Sequence, residues 1–213
     1  TGMAELAATP ADTDEFLISD AGVLKRMDYS HIKASSDYVK LTSATVSGSP
    51  SSVSINGFFT SDYDIYVLKI YNFRQSSQTT PFYRLNVSGT ANSTASNYYT
   101  VFGKFQGSSG AIDEGHDRFW GDEDKVRLID LDLSNNSNEV SAWETIIYNP
   151  LTAGDHNLIE TRGVINAQNL TKLAVFHAAT QFRTGDAISG ITVYAGASSN
   201  ISELRYSLYG LKK

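Results

Sequence analysis

The sequence predicts an all-β protein: an antiparallel β-sandwich, jelly-roll-like in type, with a short N-terminal β-hairpin connector. Strand-length segments rich in aliphatic and aromatic residues recur at intervals of roughly 10 to 15 residues, the spacing of sandwich strands. Clusters of Ser, Gly, Asn and Thr, which favour turns, separate these segments. From Val39 onward we find no amphipathic helical pattern longer than about two turns.

The composition narrows the classes of function. The chain has 213 residues, 41% of them hydrophobic, so it can bury a full core. The net charge is −6, and the 17 lysines and arginines are scattered, which argues against nucleic acid as a partner. With no cysteine, the chain has no disulfide, thiol nucleophile or Cys-ligated zinc. We also expect no signal peptide and no membrane insertion, because no apolar run approaches the length of a membrane span.

The first element is a hairpin connector within residues 1–37. The segments "EFLISD" and "VLKRMDYSHI" flank Asp20-Ala21-Gly22, a short turn in which glycine supplies a positive φ. Its few apolar residues cannot form a core alone, so we expect it to become ordered against the sandwich, identical chains or an upstream neighbour. The residues predicted to serve attachment and oligomerisation are Phe16, Ile18, Val23, Lys25, Arg26 and Met27.

Charged residues of the hairpin suggest how subunits would be aligned. Three copies of a marginal hairpin can bury one another's apolar sides, which makes a homotrimer physically reasonable. Asp14, Glu15, Lys25 and Arg26 would then fix the register across the interface between subunits.

Residues 38–213 form the predicted sandwich domain. "DIYVLKIYNF" (64–73) is apolar at both odd and even positions, which is typical of a central strand covered on both faces. "FYRLNVSG" (82–89) alternates, and "KVRLIDLDLS" (125–134) alternates with Asp130 and Asp132 on its polar side. The remaining predicted strands are "AWETIIYNPL", "HNLIETRGVIN", "LTKLAVFHAAT", "ISGITVYAG" and "ELRYSLYGLKK".

The chemically densest stretch is "GKFQGSSGAIDEGHDRFWGDEDK", from Gly103 to Lys125. One interpretation is a glycan-contact loop, in which an exposed Trp120 stacks on a sugar while His116, Asp117 and Arg118 bind hydroxyl groups. The alternative is a solvated acidic loop whose "RFW" packs onto the edge of the sandwich. A third interpretation is a calcium loop, with oxygen ligands from Asp113, Asp122, Glu123 and Asp124, although the D-x-[DN]-x-[DN]-G pattern is not met.

Catalytic and metal motifs are weak. Asp130 and Asp132 would lie about 7 Å apart on one strand face, a range that glycoside hydrolysis can use, but an outward polar face explains them equally well. The four histidines lack metal-ligand spacing, and no nucleophile-elbow or phosphate-loop pattern occurs. We therefore expect no enzyme, no metal and no cofactor.

Three segments carry a resemblance to a known family. "PADTDEFLISDAGVLKRMDYSHIKA" resembles a connector found in tailed-bacteriophage fibre and other virion surface proteins, particularly those of marine phages. "INGFFTSDYDIYVLKIYNFRQSSQTTPFYRLNVSG" resembles the beginning of the globular module that follows it there, and "ISGITVYAGASSNISELRYSLYGLKK" resembles its end. The resemblance is weakest from Asn97 to Lys125, and the stretch from Gly103 to Lys125 has no counterpart in the family.

The resemblance implies a virion protein without catalytic residues. A tail fibre or receptor-binding tip, which recognises the host cell surface, is the first expectation. A head fibre or capsid decoration protein that coats the shell is the alternative. Such proteins are commonly trimers, so the implied partners are identical chains, other virion proteins through the N-terminal segment, and a host cell-surface glycan. The sequence leaves open the position on the virion, the receptor, the host, and whether the chain is a piece of a longer fibre.

Overall fold

The computed structural model describes residues 9–32, 37–108, 111–167 and 172–213, and the side chains of residues 108 and 111–118 lie outside this description. The chain divides into two compact units, Thr1–Asp37 and Tyr38–Lys213, and each is described by itself.

Fifteen strands and one turn of 3₁₀-helix, Tyr29–His31, make up the described secondary structure. Within the described ranges we find no α-helix, and no helix there is long and apolar enough to cross a membrane. The strands are β1 (Glu15–Asp20), β2 (Val23–Asp28), β3 (Tyr38–Val46), β4 (Ser52–Asn56), β5 (Tyr63–Gln75), β6 (Phe82–Val87), β7 (Thr90–Ala91), β8 (Tyr98–Ser108), β9 (Ala111–Glu123), β10 (Val126–Arg127), β11 (Ser141–Tyr148), β12 (Asn157–Ala167), β13 (Lys172–Phe182), β14 (Ile188–Tyr194) and β15 (Ile201–Lys212).

The first unit contains the predicted hairpin. Strands β1 and β2 pair antiparallel, and Ala21 and Gly22 form the two-residue turn with φ of 50° and 83°. None of residues 9–32 is buried, so the hairpin has no core of its own. Arg26 forms an ion pair with Glu15 at 2.8 Å, and Lys25 forms one with Asp20. Glu15, Lys25 and Arg26, three of the four charged groups predicted to align subunits, therefore pair within one chain. Each lies diagonally opposite its partner on the other strand.

The second unit is an antiparallel sandwich of two sheets, which confirms the predicted fold class. The larger sheet has eight strands in the order β3-β15-β5-β11-β12-β13-β8-β9. The smaller sheet has five, in the order β10-β6-β14-β4 with β7 added to β6. Every pair of neighbouring strands is antiparallel.

The core lies between the two sheets. Alternation places every second residue of β11 and β13 inward, as the period of a strand requires. Strand β5 lies inside the larger sheet, as its apolar pattern predicts, with Val67 buried on its second side and Tyr71 exposed there. Large side chains that meet in the core include Tyr66, Leu68, Ile70 and Phe73 from the larger sheet, and Tyr83, Leu85, Ile191 and Val193 from the smaller.

Two predictions about the chain between residues 103 and 134 are wrong. The stretch from Gly103 to Lys125 is not a loop, because most of it belongs to β8 and to its neighbour β9. The strand predicted over 125–134 is limited to Val126–Arg127. Beyond it the consecutive residues Leu128 and Ile129 are both buried, which a regular strand with one solvent face would not allow.

Candidate functional site

The solvent-facing side of the larger sheet, here called the outer face, is unusually apolar. Alternate residues of β8, β12 and β13 point away from the core, and many of them are large and hydrophobic. Clusters of exposed apolar side chains are a feature of interaction surfaces. The exposed members are Val101, Phe105, Phe119, Leu158, Val164, Leu173 and Val175, which are 46% to 67% exposed.

A charged row crosses the middle of the outer face. The register of the strands aligns Lys69, Glu144, Arg162 and His177 on four neighbouring strands. Arg162 Nε donates to Glu144 Oε1 at 2.6 Å, and Lys69 Nζ lies 3.8 Å from Glu144 Oε2. This hydrogen bond raises the pKa of the Arg162 guanidinium further above its usual range. The row separates two groups of apolar residues. Phe105, Val164 and Val175 lie on one side of it, and Val101, Phe119 and Leu158 lie on the other.

On that other side lies a recess, the outer groove, with a volume of about 490 Å³. Its lining comes from five strands, β8, β9, β11, β12 and β13. A pocket of this size with a mostly apolar wall and few polar groups is typical of a small-molecule site. The side chains that line it include Tyr99, Val101, Phe119, Tyr148, Leu158, Glu160, His177, Gln181 and Arg183.

Glu160 is the polar centre of the outer groove. Its Oε1 lies 3.1 Å from Nε2 of His177, and its Oε2 accepts a hydrogen bond of 3.3 Å from the hydroxyl of Tyr148. Burial together with the negative charge of Glu160 raises the pKa of Tyr148. The carboxylate is therefore held by two partners on neighbouring strands, which fixes its orientation.

Arg183 closes one end of the outer groove. Its guanidinium lies 3.2 Å from the ring centroid of Tyr99, and its Nε donates to Oε1 of Gln181 at 2.7 Å. The Tyr99 hydroxyl in turn donates to Asp122. These contacts hold the cation over the face of an aromatic ring, a position that guanidinium groups favour.

A second recess adjoins the groove at the turn between β11 and β12. It has a volume of about 410 Å³ and shares Tyr148 and Leu158 with the groove. Its other lining residues are polar, and they include Thr152, Asp155 and His156. The two recesses together extend from an aromatic wall to a polar end.

Trp120, the aromatic residue singled out by the sequence, does not lie on the outer face. It pairs with Thr100 and is half-buried, with its ring stacked on Phe102 at a centroid distance of 4.3 Å. The interpretation with an exposed Trp120 is therefore wrong, and the alternative, in which this residue packs on the sandwich, agrees with its contact with the core. Its neighbour Phe119 is the exposed aromatic residue, at 66%.

The other predicted ligand residues, His116, Asp117 and Arg118, lie on β9. Their backbones pair with Lys104, Gly103 and Phe102, and their side chains lie outside the described residues. Their predicted role in binding a ligand stays a prediction.

Three of the four acidic residues considered as calcium ligands bind other side chains. Asp122 accepts from Tyr99, and Asp124 pairs with Arg84 and with Lys125. Glu123 pairs with Arg127, whereas the side chain of Asp113 is outside the description. Across the part of the chain that the structure describes, no group of three or more His, Cys, Asp or Glu residues is placed to hold a metal ion.

Asp130 and Asp132 do not form a pair. Lys104 Nζ lies 2.5 Å from Asp130 Oδ1, whereas Asp132 accepts from the hydroxyl of Thr80 at 2.9 Å. The segment that carries them is not a regular strand, and the two carboxylates bind different partners.

The outer groove was missed by the sequence analysis. A signal was present, since "HNLIETRGVIN" and "LTKLAVFHAAT" carry apolar residues at both odd and even positions. Such a pattern indicates two covered faces, and here one of them is open to solvent.

Compared with known proteins, the chain matches no family model, no curated protein and no solved structure. The fold and the site define an antiparallel β-sandwich protein with a mixed aromatic and polar groove on the outer face of its larger sheet.

Proposed function

We propose that this chain is a non-enzymatic bacteriophage virion protein, a tail fibre or receptor-binding tip that recognises the host cell surface. The observation that carries the proposal is the outer face, a broad exposed surface of apolar and aromatic side chains on the strands of one sheet. Side chains on paired strands are held rigidly, so such a surface can bind a partner with little ordering cost. The resemblance of the chain to phage fibre and virion surface proteins supports the same function.

The hairpin supports an attachment role. Four of its apolar side chains are exposed to solvent, Leu17 and Leu24 at 74% and 73% and Val23 and Phe16 at 58% and 37%. A two-stranded hairpin without a covered side is only marginally stable in water, so these residues need a partner. We propose that three copies associate through this segment, and that it also joins the chain to other virion proteins. A trimer would present three sandwich domains together, which would raise the avidity for a weakly bound receptor.

A head fibre or decoration protein is the alternative function. It is favoured by the apolar residues on the far side of the charged row, Phe105, Val164 and Val175. These residues offer an apolar contact area bordered by charged side chains, since Val164 lines a recess together with Lys69, Glu144 and Arg162. An apolar patch with a polar rim suits contact with a protein shell.

The proposal is tested by finding the chain on intact particles. We expect gold-labelled antibodies against residues 38–213 to mark the tail tips, in a copy number that is a multiple of three. Labelling spread over the head in many copies would support the alternative, and particles without label would contradict both.

The oligomeric state is a separate test of the hairpin. Light scattering after size exclusion should give a trimer for residues 1–213 and a monomer for residues 38–213. A monomeric full chain would contradict the attachment role.

A further inference from the structure

We propose that the outer groove binds a neutral glycan, through stacking of a pyranose ring on Phe119 and hydrogen bonds from its hydroxyl groups to Glu160, Gln181 and Arg183. The biological source of that glycan, a host cell surface, rests on the proposed function. The binding chemistry does not, since it follows from the side chains that line the recess.

The apolar wall of the groove suits the C–H face of a sugar. Phe119 is 66% exposed and its ring centroid lies 5.8 Å from that of Tyr99, with an angle of 50° between the planes. Leu158, which is 57% exposed, lines the same recess. A rigid aromatic surface of this kind contributes binding area at a low entropic cost.

The polar groups of the groove suit hydroxyl groups, which both donate and accept. Each oxygen of Glu160 has one partner, so each retains capacity to accept another hydrogen bond. The Oε1 of Gln181 accepts from Arg183, which leaves the amide NH₂ of this lining residue as a donor. Acceptors and donors therefore lie together at the edge of an apolar wall.

The charges of the groove favour a neutral ligand. Among the side chains that line it, Glu160 carries a negative charge at the centre and Arg183 carries a positive charge at one end. An acidic sugar would bring its own negative charge close to the Glu160 carboxylate, whereas a neutral sugar avoids this repulsion.

A second copy of the chain is a less suitable occupant of this groove. A flat protein surface placed here would also cover the neighbouring charged row, including Arg162 and Glu144. Removing these groups from water is unfavourable unless the partner provides matching charges. A sugar chain confined to the groove leaves Lys69, Glu144 and Arg162 of the charged row solvated. The adjoining polar recess at Asp155 and His156 gives the sugar chain room to continue.

The test uses the full chain and two matched variants. Phe119→Ala removes the stacking surface, and Phe105→Ala is the control, because both phenylalanines lie on the outer face and are 66% and 67% exposed. Phe105 lines a different recess together with Val175, on the other side of the charged row. The probes are hexasaccharides of glucose, galactose, mannose and N-acetylglucosamine, together with a galacturonic acid hexasaccharide as the acidic probe, and binding is followed by calorimetry.

We expect at least one neutral hexasaccharide to bind, Phe119→Ala to weaken it about tenfold, and Phe105→Ala to leave the affinity within about twofold. Glu160→Gln should also weaken binding, by about fivefold, since it replaces an acceptor oxygen by a donor.

Four results would overturn the proposal: no neutral probe binds, the acidic probe alone binds, Phe105→Ala weakens binding as much as Phe119→Ala, or Phe119→Ala changes the oligomeric state. The last would make the groove an interface between copies. If the antibodies label the virion but no sugar binds, this inference is rejected and the proposed function stands. If a sugar binds but the particles carry no label, only the proposed function is rejected.

Discussion

The hydroxyl of Tyr83 on β6 lies 3.1 Å from Oγ1 of Thr161 on β12, so a hydrogen bond joins the two sheets through the core. Thr161 also contacts the hydroxyl of Thr145 at 3.2 Å, and nearby Thr100 and Thr180 form a similar pair at 2.9 Å. All five side chains are buried. Buried hydroxyl groups that satisfy one another in this way fix how one sheet lies on the other.

Replacing Tyr83 by Phe should lower the free energy of unfolding by about 1 kcal/mol, because the ring remains while the hydrogen bond is lost. Urea titration followed by tryptophan fluorescence measures the change. Tyr71→Phe is the control: this ring is 44% exposed, and its hydroxyl contacts Tyr209 at 3.3 Å. The control should change stability by less than about 0.5 kcal/mol. Equal effects of the two variants would contradict the special role of the inter-sheet bond.

Alkaline pH should unfold the protein through its buried phenols. Burial raises the pKa of Tyr83 and of Tyr98 well above the ordinary value. Above about pH 10 the unfolded chain ionises these tyrosines while the folded chain does not, so stability falls as pH rises. Each tyrosine contributes a slope of up to about 1.4 kcal/mol per pH unit, and Tyr83→Phe removes one such contribution. Urea titrations at several alkaline pH values should therefore show a shallower decline in the variant, and parallel curves would refute this cause.

The pair formed by Lys104 and Asp130 should be sensitive to which partner is removed. Lys104 is only 4% exposed, with its ammonium 2.5 Å from the Asp130 carboxylate. Asp130→Ala leaves a buried cation without this partner and should cost about 3 kcal/mol. Lys104→Met removes that buried charge and leaves the anion, which is 19% exposed, nearer to solvent, so we expect a smaller loss. Thermal unfolding of both variants decides the order, and the reverse order would show that Lys104 is readily solvated.

Gly163 should tolerate no side chain. A Cβ atom at this position would lie 2.4 Å from Cβ of Trp143 and 2.5 Å from the carbonyl oxygen of Ala142, both on the neighbouring strand β11. Gly163→Ala must therefore separate β11 from β12, and we expect a loss of about 2 kcal/mol. Val164→Ala, at an exposed position next to it in β12, is the control and should have a small effect. Wild-type stability of Gly163→Ala in chemical denaturation would mean that the two strands are further apart than described.

The prediction of the site depended on which of two adjacent residues faces outward. Trp120 and Phe119 are neighbours on one strand, and their side chains point to opposite faces. A shift of one residue in register would exchange them, so the sequence alone does not decide which aromatic residue is exposed. The pairing of Val101 with Phe119 and of Thr100 with Trp120 settles it.

The sequence by itself determined that the protein is built of antiparallel strands, that a hairpin with an Ala-Gly turn precedes them, and that β5 lies inside a sheet. These are consequences of local periodicity and turn chemistry, which each segment carries in its own residues. Only the tertiary structure decided that β8 and β9 extend the larger sheet, and that the outer groove lies open on it. The reason is that strands such as β12 are apolar on both sides, and which side is covered depends on the position of the second sheet. That position is set by contacts between residues far apart in the chain, such as Tyr83 and Thr161.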